Sequence, residues 1–179
     1  MYKLKFTLLQ QEILSFLFVN AGKSFNHRDL AKSLNKTQAG VAKALFHLKK
    51  RNFINAEKDK NSGRWAVELN RENPKIMGIK RAENLSEIYW SGLVEFLENL
   101  FPGCGIILFG SYSKGEDTFD SDIDIAIVGR KEQTVDLKNF ENLLKKEIYL
   151  HFYDSLKKTD KNLKINILKG IILAGVLEI

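Results

Sequence analysis

The segment that most constrains the fold of this chain is residues 121–128, where aspartate alternates with isoleucine. Successive side chains of a β-strand point to opposite faces, so the three isoleucines would share one face and pack into a core. Asp122 and Asp124 would then lie side by side on the other face. Because two neighbouring carboxylates repel each other, this arrangement requires a positively charged partner. The segment therefore predicts a core strand that also holds a cation.

A second informative feature lies upstream, where a short apolar run ends at Gly110 and Ser111. Glycine allows a phosphate group to approach the backbone, and Ser111 offers a hydroxyl and N–H groups at the start of a turn or short helix. Lys114 adds a positive charge one turn later. With a divalent cation on Asp122 and Asp124, these residues would bind a nucleoside triphosphate. Carboxylate oxygens as the ligands favour Mg²⁺, with Mn²⁺ as the alternative.

The spacing of these residues resembles the signature of a known family. Gly110-Ser111, ten further residues and then Asp122-Ile123-Asp124 are similar to the motif of the DNA polymerase β-like nucleotidyltransferases, particularly the minimal ones of prokaryotes. The resemblance runs from about residue 85 to the C-terminus. It implies a mixed sheet flanked by helices. It also implies transfer of a nucleoside monophosphate from a nucleotide to a hydroxyl group, with release of pyrophosphate.

One departure from the family pattern concerns the third carboxylate that active members usually carry on a later strand. In this chain the later strand is residues 147–154, and His151 stands where the aspartate is expected. A histidine there could serve as a general base near neutral pH, or it could mark a site that has lost catalysis. Glu147 lies on the same strand face and is the second candidate. Asp154 lies on the opposite face and is the poorer one.

Charge divides the chain into two halves. Residues 1–80 carry 16 Lys and Arg against 6 Asp and Glu, a balance of +10, whereas residues 81–179 carry 12 against 16, a balance of −4. A basic half joined to an acidic half suggests two tasks, in which the first attracts polyanions and the second holds cations.

The basic half has the pattern of three helices followed by a β-hairpin. Apolar spacing predicts a helix over residues 8–20, a second from the N-cap Asn26 to about residue 34, and a third within residues 35–54, with Thr37 as candidate N-cap. Two strand-like runs around an Asn-Ser-Gly turn follow at residues 55–70. This order resembles the winged helix-turn-helix family, which usually places its third helix in the DNA major groove.

The winged-helix resemblance implies a surface for DNA or RNA on the third helix and on the wing. Its candidate residues are Lys36, Thr37, Gln38, Lys43, Lys58, Lys60 and Arg64. The competing interpretation is that the lysines only solvate exposed faces, since many winged helices bind proteins. Trp65 could stack on a base, but the preferred prediction is a core residue of the hairpin. Winged helices often pair, so a homodimer is a further expectation.

These patterns together predict an α+β chain of two domains. The winged helix would span residues 1–72, a polar linker with Pro74 and Gly78 would span 73–83, and the nucleotidyltransferase-like domain would span 84–179. Its first helix is predicted over residues 84–100. The apolar runs near the two ends are too short or too interrupted for membrane spans, so no membrane partner is expected. The single cysteine, Cys104, excludes an internal disulfide and fits a cytoplasmic protein.

Two functions fit these residues. The first is a Mg²⁺-dependent nucleotidyltransferase in which Asp122 and Asp124 hold the metal and His151 or Glu147 helps to deprotonate the acceptor. The second is a DNA-binding regulator or antitoxin-like binding protein whose nucleotidyltransferase-like half senses a nucleotide. The intact Gly-Ser and Asp-x-Asp motifs favour the enzyme, whereas the missing third carboxylate favours the regulator. The sequence specifies neither the nucleotide nor the acceptor.

Overall fold

The N-terminal part of the chain folds as three helices and a β-hairpin, in the order that the sequence predicts. The structure is a computed structural model, and it describes residues 6–58 and 65–176. The elements of this part are α1 (Leu8–Val19), α2 (His27–Ser33), α3 (Gln38–Lys50), β1 (Ile54–Lys58) and β2 (Trp65–Leu69). The two strands pair in antiparallel register, with Ala56 opposite Val67.

Each of these three helices begins at a side chain that satisfies a free backbone N–H group. Thr7 forms a capping box with Gln10 at the start of α1. The side chain of Asn26 accepts a hydrogen bond from the N–H of Asp29 at 2.9 Å, and Thr37 Oγ1 accepts one from Gly40 at 3.2 Å. The predicted N-caps Asn26 and Thr37 are therefore confirmed.

One apolar core holds this winged helix together. It draws on every element, as the fully buried side chains of Ile13, Leu30, Leu48 and Val67 illustrate. The prediction for Trp65 is wrong, because 39% of this residue is exposed and its ring stacks on that of His27 instead of entering the core. The predicted Asn-Ser-Gly turn lies outside the described residues.

The segment predicted to be a linker is helical. The helix α4 (Pro74–Trp90) begins at a proline, which the first turn of a helix tolerates because its missing N–H would have no partner there. The chain divides into two compact units between Lys80 and Arg81, inside this helix.

The predicted helix over residues 84–100 is interrupted. It breaks at Gly92, whose φ of +77° is left-handed and closed to a regular helix, and resumes as α5 (Leu93–Leu100). The serine hydroxyl of Ser91 accepts a hydrogen bond from the N–H of Leu93 at 3.3 Å, which partly caps the new helix.

A four-stranded mixed sheet forms the centre of the C-terminal unit. Its strands are β3 (Gly105–Phe109), β4 (Ile123–Val128), β5 (Ile148–Tyr153) and β6 (Ile171–Ala174), in the spatial order β5-β4-β3-β6. Strand β3 is antiparallel to both neighbours, and β4 is parallel to β5. The remaining elements are α6 (Gly110–Lys114), α7 (Lys138–Leu144), a 3₁₀ turn (Leu156–Lys158) and α8 (Lys161–Leu168). The fold is thus the predicted α+β arrangement.

Both faces of this sheet are covered along most of β4. The three isoleucines of β4 are fully buried in a core with Ile88 of α4 and Leu97 of α5. On the opposite face Ala126 is buried against Ile167 of α8. The start of the strand is less covered, since Asp122 is exposed and Asp124 is partly exposed. No helix within residues 6–58 and 65–176 combines the length and the apolar character that crossing a membrane requires.

Candidate functional site

The site forms where β3 ends beside the start of β4. The strand register places Phe109 opposite Asp124, so the next residue, Gly110, lies against the aspartate side chain. A Cβ atom built on Gly110 would be 2.5 Å from Asp124 Oδ2, and the φ of Gly110 is +74°. The left-handed backbone favours glycine at this position, and any added Cβ would push the Asp124 carboxylate aside. The missing Cβ leaves the Asp124 carboxylate next to bare backbone.

Pairing with β5 adds a histidine to the same face. The parallel register sets Ala126 against His151, and His151 Nε2 lies 2.9 Å from Asp124 Oδ1. The side chains of Asp124 and His151 are 32% and 38% exposed, so the pair remains open to a ligand. The ring of His151 also makes an edge contact with that of Phe109, at 5.2 Å between centroids. Thus Gly110, Asp124 and His151 are brought together.

The other predicted site residues lie on the elements around this contact. Asp122 is exposed, one residue before β4 begins. Ser111 is partly buried in the first turn of α6, a helix that contacts both β3 and β4. Lys114 is the last residue of α6 and is exposed.

The two alternatives to His151 are placed less favourably. Glu147 is exposed and its Oε2 accepts a hydrogen bond from the Tyr149 hydroxyl at 2.8 Å. This hydrogen bond, together with the charge of Glu147, raises the pKa of Tyr149. Asp154 is exposed and follows the last residue of β5. Neither carboxylate makes the kind of contact with Asp124 that His151 makes.

The donor set fits a magnesium ion that keeps water and phosphate ligands. Within the described parts of the chain, no group of three or more histidine, cysteine, aspartate or glutamate side chains is placed to hold a metal ion by itself. Magnesium is commonly bound through one or two carboxylates plus substrate phosphates, and Asp122 and Asp124 are the two carboxylates that could serve here. Close to this site, the burial of Tyr153 and, to a smaller extent, the charge of Asp124 raise the pKa of this tyrosine.

The predicted nucleic-acid residues of the N-terminal unit have different environments. Lys36 is an ion-pair partner of Glu12, with 2.8 Å between Nζ and Oε2, so its charge is partly neutralised. The Thr37 side chain caps α3. Three further candidates are exposed, namely Gln38, Lys43 and Lys58. Lys60 and Arg64 lie outside the described residues.

A polar groove beside α2 contains residues that the sequence patterns did not single out. Its volume is about 610 Å³, and it is lined by Asn26, His27, Arg28, Asp29, Lys32, Gln38 and Trp65. The rings of His27 and Trp65 stack at 5.3 Å with 7° between their planes, and Lys49 Nζ lies 5.6 Å from the Trp65 ring centroid. The spacing of Arg28 and Lys32, one helical turn apart, was the available signal.

Comparison with known proteins gives a different result for each half of the chain. Residues 91–174 match the family model described as nucleotidyltransferase domain, and this range contains Gly110, Asp124 and His151. No curated protein matches the chain.

Solved structures resemble the chain over about half of its length. The structure of MepR from Staphylococcus aureus bound to DNA is 22% identical, with a TM-score of 0.37, over 53% of this chain and 81% of that one. The adhesin competence repressor AdcR from Streptococcus pyogenes is 26% identical, with a TM-score of 0.39, over 54% of this chain and 69% of that one. Residues 91–174 therefore resemble a nucleotidyltransferase domain. They follow a unit that has the element order and the strand register of a winged helix.

Proposed function

We propose that the C-terminal unit is a Mg²⁺-dependent nucleotidyltransferase that transfers a nucleoside monophosphate from a nucleoside triphosphate to a hydroxyl acceptor. The observation that carries the proposal is the contact between Gly110 and Asp124. The left-handed backbone of Gly110 makes the tight turn from β3 into α6, and that turn brings the start of α6 against the carboxylate of Asp124. The absence of a Cβ there would leave room for a phosphate and a cation beside the carboxylate.

The roles of the residues follow from their places. Asp122 and Asp124 would hold the metal, and the backbone at Gly110 and Ser111 would bind the triphosphate, with Lys114 as an additional positive charge. When bound, magnesium would neutralise the charge that builds up on the triphosphate during transfer. These assignments make most of the rate enhancement a matter of positioning and charge.

His151 is the proposed general base. Because a carboxylate can only accept hydrogen bonds, the hydrogen between His151 and Asp124 belongs to Nε2 of the histidine. In the neutral ring, Nδ1 carries the free lone pair and is the atom that would accept the proton of the acceptor hydroxyl. This assignment gives His151 the task that a third carboxylate has in related enzymes, with Asp124 orienting the ring.

Metal-dependent nucleotide binding tests the site. We expect Mg²⁺ to strengthen the binding of a non-hydrolysable nucleoside triphosphate to the wild-type chain, measured by calorimetry. The double substitution Asp122→Asn/Asp124→Asn should remove that dependence on Mg²⁺, since the amides keep the shape but lose the charges. Asp154→Asn is the matched control and should bind like the wild type. An unchanged response to Mg²⁺ in the double variant would reject the metal assignment.

A second proposed activity is nucleic-acid binding by the N-terminal unit. It is supported by the groove beside α2, which places Arg28 and Lys32 next to exposed Gln38, on the unit that carries the excess of positive charge. Contacts between these cations and the phosphates would orient a nucleic acid, and Lys43 of α3 would add a further contact. Because the groove is open and polar, it could accommodate the backbone of a nucleic-acid strand. Pairing of two chains stays a prediction.

The salt dependence of binding tests this second activity. Arg28→Ala/Lys32→Ala should weaken binding of DNA or RNA and reduce the slope of log K against log salt by about 1 for each lost phosphate contact. Lys75→Ala removes an exposed positive charge from α4 and should change neither quantity. Equal affinity of the wild type and the double variant at low salt would contradict the groove assignment.

The alternative proposal is a DNA-binding regulator whose second unit senses a nucleotide without transferring it. The replacement of the third carboxylate by His151 is the observation that favours this alternative. Both proposals share nucleotide binding, so they are separated by transfer alone.

A further inference from the structure

Three polar side chains from separate segments meet inside the C-terminal unit, and none belongs to the nucleotidyltransferase motif. They are Asn84 of α4, Asp117 of the loop before β4, and Lys146 of the turn before β5. All three are buried, with 6%, 1% and 8% of each residue exposed. The amide of Asn84 donates to Asp117 Oδ1 at 2.7 Å and to the carbonyl of Tyr112, in α6, at 3.0 Å. Lys146 Nζ lies 3.5 Å from Asp117 Oδ2.

The ammonium group of Lys146 has an oxygen atom for each of its three hydrogens. It forms an ion pair with Asp117, and it donates hydrogen bonds to the backbone carbonyl of Thr118 at 2.6 Å and to that of Ser121 at 3.0 Å. A buried charge is stable only with such a set of partners. Because Lys146 donates to two backbone carbonyl groups, it fixes the path of the backbone.

The two carbonyl groups bound by Lys146 mark the ends of one tight turn. Within it, the N–H of Thr118 donates to Ser121 Oγ at 2.9 Å, and the N–H of Ser121 donates to the Thr118 carbonyl at 3.2 Å. Asp122 is the next residue. On its other side, the N–H of Ile123 donates to the carbonyl of Glu147 at 2.9 Å, where sheet pairing begins. Asp122 therefore lies between a turn held by Lys146 and a strand held by β5.

The two proposed metal ligands differ in how they are held. Asp124 is inside β4 and contacts His151, so the sheet itself fixes it. Asp122 is exposed and precedes the strand, so its position depends on the turn before it. Because the turn is bound to the buried ammonium group of Lys146, it can position the Asp122 carboxylate while the lysine charge itself stays outside the metal site.

We infer that Lys146 is a positioning residue that holds Asp122 for metal binding, with Asp117 and Asn84 orienting the lysine. This inference rests on the proposed function, in which Asp122 and Asp124 are the metal ligands. Groups that hydrogen-bond to the ligands of a metal site typically contribute 10- to 100-fold in affinity. Lys146 would act one step further out, through the backbone of the turn that leads to Asp122. The sequence gives no motif for it, because Lys145 and Lys146 together resemble an ordinary solvated pair.

The test measures Mn²⁺ binding, by electron paramagnetic resonance, together with amide hydrogen exchange in residues 118–122. Lys146→Met should weaken Mn²⁺ binding about 10-fold or more and speed exchange in this turn. Lys145→Met is the matched control, because Lys145 is exposed and the substitution is the same one residue earlier. It should leave both quantities at their wild-type values. Circular dichroism verifies that each variant is folded.

A second variant keeps the test decisive if Lys146→Met does not fold. Asp117→Asn preserves the volume and the oxygen that Asn84 contacts, but removes the charge that holds the ammonium group. It should weaken Mn²⁺ binding in the same direction. Wild-type Mn²⁺ affinity in either folded variant, or unchanged exchange in the turn, would overturn the inference while leaving the proposed function intact. If Asp122→Asn binds Mn²⁺ as the wild type does, the metal assignment itself fails and Lys146 has no ligand to position.

Discussion

The two units of the chain hold their charged groups differently. In the N-terminal unit, the cations proposed to bind nucleic acid lie on exposed helix faces. In the C-terminal unit, two aspartates lie at the start of a strand, and Lys146 and Asp117 are buried in the segments around it. The helices of the first unit begin at local caps such as Thr37, three residues from their partners. The site of the second unit joins residues far apart in sequence, as Asp124 and His151 are. Surface chemistry on helices therefore follows from local sequence, while chemistry at a sheet depends on strand pairing.

The comparison predicts that one added methyl group lowers nucleotidyl transfer at the sheet site but has no effect on transfer when it is added to a helix. Gly110→Ala should lower nucleotidyl transfer by about 1,000-fold, because the new Cβ would displace Asp124 from both metal and nucleotide. Gly78→Ala makes the same change inside α4, where the new Cβ would meet nothing within 4 Å. It should leave transfer unchanged and raise the free energy of unfolding by about 0.5–1 kcal/mol. Near-normal transfer by Gly110→Ala would contradict the site geometry.

The strand pairing that brings His151 to Asp124 provides the second prediction. His151→Ala should reduce the rate of transfer about 100-fold, the usual scale of general-base catalysis, without weakening nucleotide binding. Glu147→Ala removes a side chain that contacts Tyr149 and should change the rate little. Single-turnover kinetics separate the chemical step from binding. The reverse ranking of the two variants would make Glu147 the base.

The features that the sequence could predict are those set by residues close together in the chain, and the features that it could not predict depend on packing between distant segments. The helix starts at Asn26 and Thr37 and the strand that contains Asp124 followed from spacing and residue type. The predicted strand over residues 121–128 begins two residues later, at Ile123, because pairing with β5 starts there. The helical state of residues 74–83 did not, because a polar helix and a polar linker have similar compositions. Likewise, the stacking of Trp65 on His27 depends on the packing of a strand against a helix, which no local pattern encodes.

The buried partners of the site were the least predictable part. Lys146 follows another lysine, and Asp117 lies in a polar loop, so both resemble solvated residues. Only the pairing of β4 with β5 brings their segments together. By contrast, the face of β5 that carries His151 followed from simple alternation of its side chains.

In the N-terminal unit, local caps should have local and moderate effects. Thr37→Ala removes the hydrogen bond to Gly40 and should lower the free energy of unfolding by about 1 kcal/mol in a urea titration. Thr134→Ala, at an exposed position outside the helices, should change it by less than about 0.5 kcal/mol. Equal effects of the two substitutions would show that the cap contributes nothing.

The smallest expected effect concerns His27 of α2, whose ring stacks on that of Trp65 in the hairpin. Burial lowers the pKa of His27, so the unfolded chain binds more protons than the folded one just below the ordinary value of 6.5. Stability contributed by neutral His27 is therefore present above that value and is lost as the pH falls below it. Urea titrations between pH 5 and 7 should show a steeper loss for the wild type than for His27→Gln. His47→Gln, on the exposed face of α3, should follow the wild type.

The most direct test of the account is a transfer assay with nucleoside triphosphates labelled with ³²P at either the α or the γ position. Each would be incubated with the intact chain, Mg²⁺ and cellular RNA or protein. The account predicts that α label reaches a macromolecule, that γ label leaves as pyrophosphate, and that Asp122→Asn abolishes both. Saturable nucleotide binding without transfer of α label to any acceptor would contradict it. That result would identify the second unit as a nucleotide sensor joined to a winged helix.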